Sequence, residues 1–286
     1  MSAVALGQRF VSLVRLEHTV FALPYAYVGA ILAVDGWPGL EVLIWITVVM
    51  FGARSFAMAV NRLVDAAIDA RNPRTAGRDL PAGRLKRNQV IAFALGSLAL
   101  FVVGVSQLPP ITHWLAPIVV VAFVVYPYLK RFTPLCHIWL GVVDGLAPVG
   151  GWVAVTGHFD IAAWLLGAAV ACWIAGFDII YATMDIEVDR AQGLHSMPAD
   201  YGVATALWIS RGLHALSVVA LVAVGLSLSL GPVYAIGVAA VALLLAYEQQ
   251  LVSPDDLSRV DMAFLSVNGT IAMLYFGTVA LDVAIS

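Results

Sequence analysis

The chain has 286 residues, of which 62% are hydrophobic and only 12% charged, with a mean hydropathy of +0.93. Ordinary soluble domains carry roughly twice that share of charge. The composition therefore excludes a soluble globular domain; the formal net charge of −3 says little about partners, since its distribution matters more than its sum, and no nucleic-acid partner is expected.

The apolar residues fall in runs long enough for a bilayer, which takes about 20 residues per helix. In chain order the runs predict helices over 16–34, 40–69, 88–107, 113–130, 137–156, 160–186, 204–228, 232–250 and 260–282. This is an all-α, polytopic membrane protein, with about nine transmembrane helices around a central cavity. The stretch 16–34 contains Pro24 and no convincing cleavage site, so it reads as a retained first span rather than a signal peptide. Cys136 and Cys172 form no metal or disulfide pattern and read as small buried apolar residues.

Charge fixes the expected orientation. The loops after helices two, four, six and eight, with the N-terminal segment, hold Arg9, Arg15, Lys130, Arg131, Arg190, Arg259 and a basic cluster from Arg71 to Arg87. The opposite loops, 35–39, 108–112, 157–159, 229–231 and 283–286, hold no Lys or Arg. That bias places the basic loops in the cytoplasm.

The second helix ends in a column of polar groups. Positions four apart share a helix face, because each residue turns about 100°. Asn61, Asp65 and Asp69 are so spaced, and Arg54 lies about 20° from Asp65 on the same face. The loop beyond carries Arg71, Arg74, Arg78, Arg84, Lys86 and Arg87. The column recurs 120 residues later as Tyr181, Asp185 and Asp189, with Asp178 extending it. The repeat suggests one domain over 1–286, built of two four-helix halves (about 9–131 and 137–250) and a final helix at about 260–282. In that arrangement the two columns face each other across the cavity. Facing carboxylates suit a hard divalent cation such as magnesium, which takes one or two carboxylates plus substrate phosphates. A diphosphate would bridge the metals, with Arg74, Arg78 and Lys130 neutralising its remaining charge. The plainer alternative is acids that mark helix ends and face water.

The stretch NRLVDAAIDARNPRTAGRDLPAGRL, residues 61–85, resembles the first aspartate-rich motif of the UbiA superfamily of intramembrane prenyltransferases. DIIYATMDIEVDRAQGLHSMPADYG, residues 178–202, resembles the second. YPYLKRFT, residues 126–133, is similar to the segment after that family's fourth helix, and LEHTVFALPYAYVGA, residues 16–30, is similar to its quinone-pathway branch. That branch includes 4-hydroxybenzoate polyprenyltransferases and the related enzymes of the futalosine route to menaquinone.

The resemblance implies roles. Asn61, Asp65, Asp69, Asp185 and Asp189 would hold Mg2+ and, through it, a polyprenyl diphosphate. Asp178 would belong to the same wall, and Arg74 and Lys130 would bind phosphate oxygens. Arg54 would grip the carboxylate of a small aromatic acid. Tyr181 would donate a hydrogen bond to phosphate or line the cation's path, or simply pack at a helix end. The implied reaction ionises the allylic diphosphate and lets an electron-rich ring attack the carbocation, with water excluded. Phe56, Tyr126, Phe177 and Trp173 are candidates to face that cation, against membrane packing as the plainer reading.

Other polar residues are weighed singly. Asp144, inside a span, wants a partner, and it is placed to orient the acceptor phenol or accept its proton. Glu17 and His18 read as an interfacial pair. His195 and Ser196 cap a short helix or face the site, and Glu187 points to solvent. Gly141, Gly145, Gly150 and Gly151 allow close helix approach. Two alternatives stand beside prenyl transfer to an aromatic acid. One is another acceptor: haem, chlorophyllide or a lipid. The other is a secondary transporter, which the clustering of acids at the cytoplasmic end beneath basic residues disfavours. The expected setting is the inner membrane of a bacterial cell, among membrane lipid, with the site facing the cytoplasm.

Overall fold

A computed structural model of the protein describes residues 3–14 and 16–285, with side chains for 7–14 and 23–285. The Glu17–His18 pair lies outside those side chains. Twelve α-helices follow in order: α1 (Ala3–Val14), α2 (Leu16–Val34), α3 (Leu40–Arg71), α4 (Arg87–Val105), α5 (Pro110–Leu129), α6 (Cys136–Thr156), α7 (Ile161–Ala182), α8 (Ile186–Gln192), α9 (Met197–Tyr201), α10 (Val203–Leu228), α11 (Pro232–Gln250) and α12 (Asn268–Ile285). A π-helical turn, Met262–Val267, leads into α12. Among the described residues eight helices are long and apolar enough to cross a bilayer. The partly described α2 takes the remaining expected span.

Helix ends are closed by local chemistry. The Asp160 carboxylate accepts from the Ala162 N–H at the start of α7, and Gly157 ends α6 with φ +71. The α11 N-terminus follows Gly231 with Pro at its first position, and the buried Asp282 carboxylate accepts from the Gly231 and Tyr234 N–H groups. Such partners satisfy backbone donors that a helix leaves open.

The predicted sixth helix differs from what is observed. The α-helix stops at Ala182, tightens into a 3₁₀ turn at Thr183–Asp185 and resumes as α8. The Thr183 hydroxyl donates back to the Ile180 carbonyl, a contact that competes with the helical ladder and bends it. Asp185 therefore sits at a corner, with φ −115 and ψ 8, and Tyr181, Asp185 and Asp189 do not share one continuous α-helical face.

The largest apolar core joins α2, α6, α7, α10, α11 and α12 around Tyr25, Trp152, Leu166, Trp173 and Tyr275. A smaller core joins α1, α3 and α4 around Leu13, Phe56, Leu85 and Val90. α5, interrupted by Pro117 and Pro127, buries only Thr112, Ala122 and Pro127.

Two glycines let α2 and α6 touch backbone to backbone. A Cβ at Gly29 would overlap the Pro148 carbonyl, and one at Gly151 would overlap the Ala26 carbonyl. Gly141 and Gly145 meet the α7 backbone in the same way. Gly150 does not: nothing lies near its Cβ position, and it faces the cavity. Gly29→Ala and Gly151→Ala should each cost about 1–3 kcal/mol of stability through overpacking, whereas Gly150→Ala should cost much less. Thermal unfolding of detergent-solubilised protein measures this; equal midpoints for all three variants would contradict it.

Candidate active site

One cavity of about 630 Å³ runs between α3, α5, α6 and α7. Its walls reach from Ile46 to Asp69 on α3, about 35 Å along that helix. Phe159, Trp164 and Leu108 line it at one end, and the aspartates line the other. All the polar residues expected to hold metal or substrate border this space: Asn61, Asp65, Asp69, Arg54, Arg74, Lys130, Asp144, Asp178, Tyr181, Asp185 and Asp189.

The first column comes from the last turns of α3. Asp65 is buried, at 2% exposure. Its carboxylate accepts from Lys130 Nζ and, at 3.3 Å, from Arg131 Nη2. Asp69 accepts from Arg78 Nη1 at 2.8 Å to each oxygen. Thr75 ties the following loop back to α3 by donating to the Asp69 carbonyl at 3.0 Å. Asn61 stands one turn away from Asp65 on the same helix and also borders the cavity.

The second column answers from α7 and α8. Arg74 reaches across with its guanidinium and donates to both Asp185 oxygens, the Nε bond measuring 2.9 Å. The same guanidinium donates to the Tyr181 hydroxyl at 2.6 Å and lies 5.0 Å from the Tyr181 ring centre. Burial works against the Arg74 charge, but the hydrogen bonds and negative charge of Asp185, with Tyr181, raise its pKa above the ordinary guanidinium value. Asn72 donates to Asp185 at 2.8 Å, and the Ser196 hydroxyl donates to Asp189 at 2.9 Å. His195 also borders the cavity, with Nδ1 paired to Asp200 at 2.9 Å, and Glu187 is exposed.

A second charged tier lies deeper. Arg54 pairs with Asp144 at 3.5 Å, about 16 Å along α3 from Asp65. The intramembrane acid of α6 thus has the guanidinium of α3 as its partner. Between the tiers, His137 Nδ1 and Asp178 Oδ2 are 2.6 Å apart. The Met197 N–H donates to His137 Nε2 at 3.3 Å.

Tyr126 and Phe177 border the cavity. Phe56 and Trp173 do not: both are buried in the apolar cores, and Trp173 spends its N–H on Asn268. His137, Asn72 and Arg131 were not expected as site residues. Asn72 had a readable signal, since it continues the Asn61 column at a three-residue step. His137 had none, as its partner lies 41 residues away.

The donor set suits magnesium. It is all oxygen on the acidic side, and it presents carboxylates from two walls rather than one closed cage. Among the described residues no three His, Cys, Asp or Glu side chains converge on a single point. Magnesium does not ask for that, since it retains waters and fills its shell with substrate phosphates.

The comparisons with known proteins agree with this architecture. A 4-hydroxybenzoate octaprenyltransferase of Aeromonas hydrophila is 30% identical over 277 residues, 96% of each chain. The apo structure of a UbiA homologue from Aeropyrum pernix K1 superposes with a TM-score of 0.85 at 34% identity, covering 93% of this chain and 98% of that one. A UbiA homologue from Archaeoglobus fulgidus, bound to DMAPP and Mg2+, shares the fold with a TM-score of 0.78 at 18% identity, covering 97% of this chain and 100% of that one. The UbiA prenyltransferase family itself matches residues 22–274, and with nearly the whole chain spanned by that match, this protein belongs to the UbiA prenyltransferase family.

Proposed function

We propose that the protein transfers a polyprenyl group from an allylic polyprenyl diphosphate to an aromatic acid, 4-hydroxybenzoate or a dihydroxynaphthoate, in ubiquinone or menaquinone biosynthesis. One observation carries the reading. Four aspartates from two distant segments meet arginine and lysine at one end of a cavity whose remaining walls are largely apolar, interrupted by the Arg54–Asp144 pair. That end fits a diphosphate, and the rest fits an isoprenoid chain. The octaprenyltransferase relative supports the choice of acceptor, and the DMAPP- and Mg2+-bound neighbour supports the choice of donor and metal.

Asn61, Asp65, Asp69, Asp185 and Asp189 would hold Mg2+. When bound, magnesium supplies Lewis-acid stabilisation of the departing diphosphate. The chain's own groups do the rest. Arg74 and Lys130, now paired with aspartates, turn their donors to phosphate oxygens, and the Tyr181 hydroxyl adds another. The allylic C–O bond breaks with both electrons leaving on the diphosphate oxygen. The apolar walls keep water from the cation. Arg54 takes the acceptor's carboxylate, which sets an electron-rich ring carbon against the cation. The ring's π pair forms the new C–C bond, and loss of the ring proton restores aromaticity. Asp144, beside Arg54, is placed to take a proton from the acceptor.

Asp144→Asn should lower turnover about 100-fold, the usual weight of a positioned base, or raise the acceptor's KM. Steady-state rates at varied 4-hydroxybenzoate measure both, and wild-type values for the two would rule the role out. Arg54 and Asp144 act as a pair, so Arg54→Lys should raise the KM of carboxylated acceptors more than it lowers kcat.

The one-sided basic loops support an inner-membrane location with the aspartates facing the cytoplasm. The matched motifs at the ends of α3 and α7 support two pseudo-repeated halves, about 9–131 and 137–250. The direct test incubates purified protein with Mg2+, a polyprenyl diphosphate and a panel of aromatic acids, and mass spectrometry finds the acceptor that gains the prenyl mass. Chelation should stop the reaction and added magnesium restore it. No prenylated product from any acid would defeat the reading.

A further inference from the structure

The turn Met262–Val267 before α12 is π-helical, and a buried polar node holds it. Such turns add a residue to the helical repeat and redirect the side chains beyond them. The Asn268 amide donates to the Ala263 and Phe264 carbonyls at 3.0 and 3.2 Å and to Glu248 Oε1 at 2.8 Å. Its own oxygen accepts from Trp173 Nε1 at 2.7 Å. Glu248, on α11, is fully buried at 0% exposure. None of these three polar side chains borders the cavity. A buried carboxylate with no exposed route is costly to keep, and nothing in the proposed chemistry uses it.

The node holds the backbone of Phe264 through its carbonyl. The Phe264 ring borders the cavity and lies on the Tyr181 ring, with centres 4.1 Å apart and planes 24° apart. Phe177 meets it edge-on at 5.5 Å. The three rings form a corner, and Tyr181 joins that corner to Arg74 and hence to Asp185. A carbon leaving a diphosphate held at Arg74 would emerge beside these rings. Their negative π faces attract a cation most strongly where water is excluded.

We propose that Phe264 is a catalytic residue that, with Phe177 and Tyr181, forms an aromatic corner shielding the allylic cation, and that Asn268 and Glu248 are positioning residues that fix it through the π-helical turn. The proposal rests on the prenyl-transfer reading. It concerns the fate of the cation after the C–O bond breaks. Ring attack gives prenylated acid. Attack by a water oxygen, with loss of a proton to solvent, gives prenyl alcohol. Both routes release one pyrophosphate.

The test uses the full chain in detergent with Mg2+, geranyl diphosphate and 4-hydroxybenzoate. Pyrophosphate, geranylated acid and free alcohol are measured together. Phe264→Leu keeps an apolar side chain but removes the π face, and the ratio of geranylated acid to alcohol should fall about tenfold, within the range of one desolvated cation–π contact. Asn268→Ala should shift the ratio in the same direction without touching substrate. Glu248→Gln keeps an acceptor oxygen for Asn268 and should keep the wild-type ratio. A coupled wild type with an unchanged ratio in Phe264→Leu overturns the aromatic corner alone. An unchanged ratio in folded Asn268→Ala overturns the positioning role. A wild type that releases no pyrophosphate and makes no product defeats the prenyl-transfer reading, and the corner falls with it. Should Asn268→Ala fail to fold, Phe264→Leu still decides the main claim.

Discussion

Asp65→Asn and Asp185→Asn should each reduce prenyl transfer at least about a thousand-fold, the upper scale for removing one preorganised electrostatic group from an active site. Each substitution keeps the side chain's size and removes its charge. Asp65 is enclosed between Lys130 and Arg131, so its loss leaves two cations facing each other and takes a metal ligand from the first wall. Arg74 grips the Asp185 carboxylate with two nitrogens, so its loss frees the guanidinium and removes a ligand from the second wall. The loss should persist at saturating magnesium and saturating diphosphate, because it lies in the ionisation step. Thermal unfolding in parallel separates lost chemistry from lost fold. Full activity of both folded variants in chelator-stripped buffer with magnesium restored would end the metal assignment.

Arg74→Ala should raise the KM for polyprenyl diphosphate and lower kcat, with a combined fall in kcat/KM of about 100- to 1000-fold. The guanidinium makes three kinds of contact at once: two oxygens of Asp185, the Tyr181 hydroxyl and the face of the Tyr181 ring. Lysine keeps the charge but has no planar fork, so Arg74→Lys should recover only part of the loss. Steady-state kinetics with the diphosphate varied would show this. If lysine restored wild-type kcat/KM, the fork geometry would be irrelevant and Arg74 would act as a point charge.

The helices were legible because a bilayer asks for unbroken apolar length, and that leaves long runs in the sequence. The first acid column was legible for a similar reason: α3 stays α-helical through Arg71, so spacing maps directly onto a face. The second column was only half legible. Its residues reach the cavity, but through a corner at Asp185 that four-residue spacing does not announce. The aromatic candidates show where facing arguments must be carried through. Phe56 is nine residues before Asp65, about 180° round the helix, so it turns to the α1–α4 core. Trp173 is about 80° from Tyr181 and turns to Asn268. Phe264 and its node were hidden altogether. Glu248, Asn268 and Trp173 come from three helices, and each alone reads as an isolated polar or aromatic residue in an apolar span. The short amphipathic α1, which stacks Phe10 on Phe93 and sends Arg9 to Asp79, was likewise below the length at which hydropathy speaks.

The long chamber has unlike ends, ionic at Asp69 and Asp185, aromatic at Phe159 and Trp164. An amphiphile entering it has only one way round that does not strand its charged head among rings. The donor's own polarity therefore serves as an address, delivering the first carbon of the tail to the same spot whatever the tail's length. Shorter donors should arrive correctly aligned but be retained less firmly, by about 0.8 kcal/mol for each methylene no longer sheltered from water.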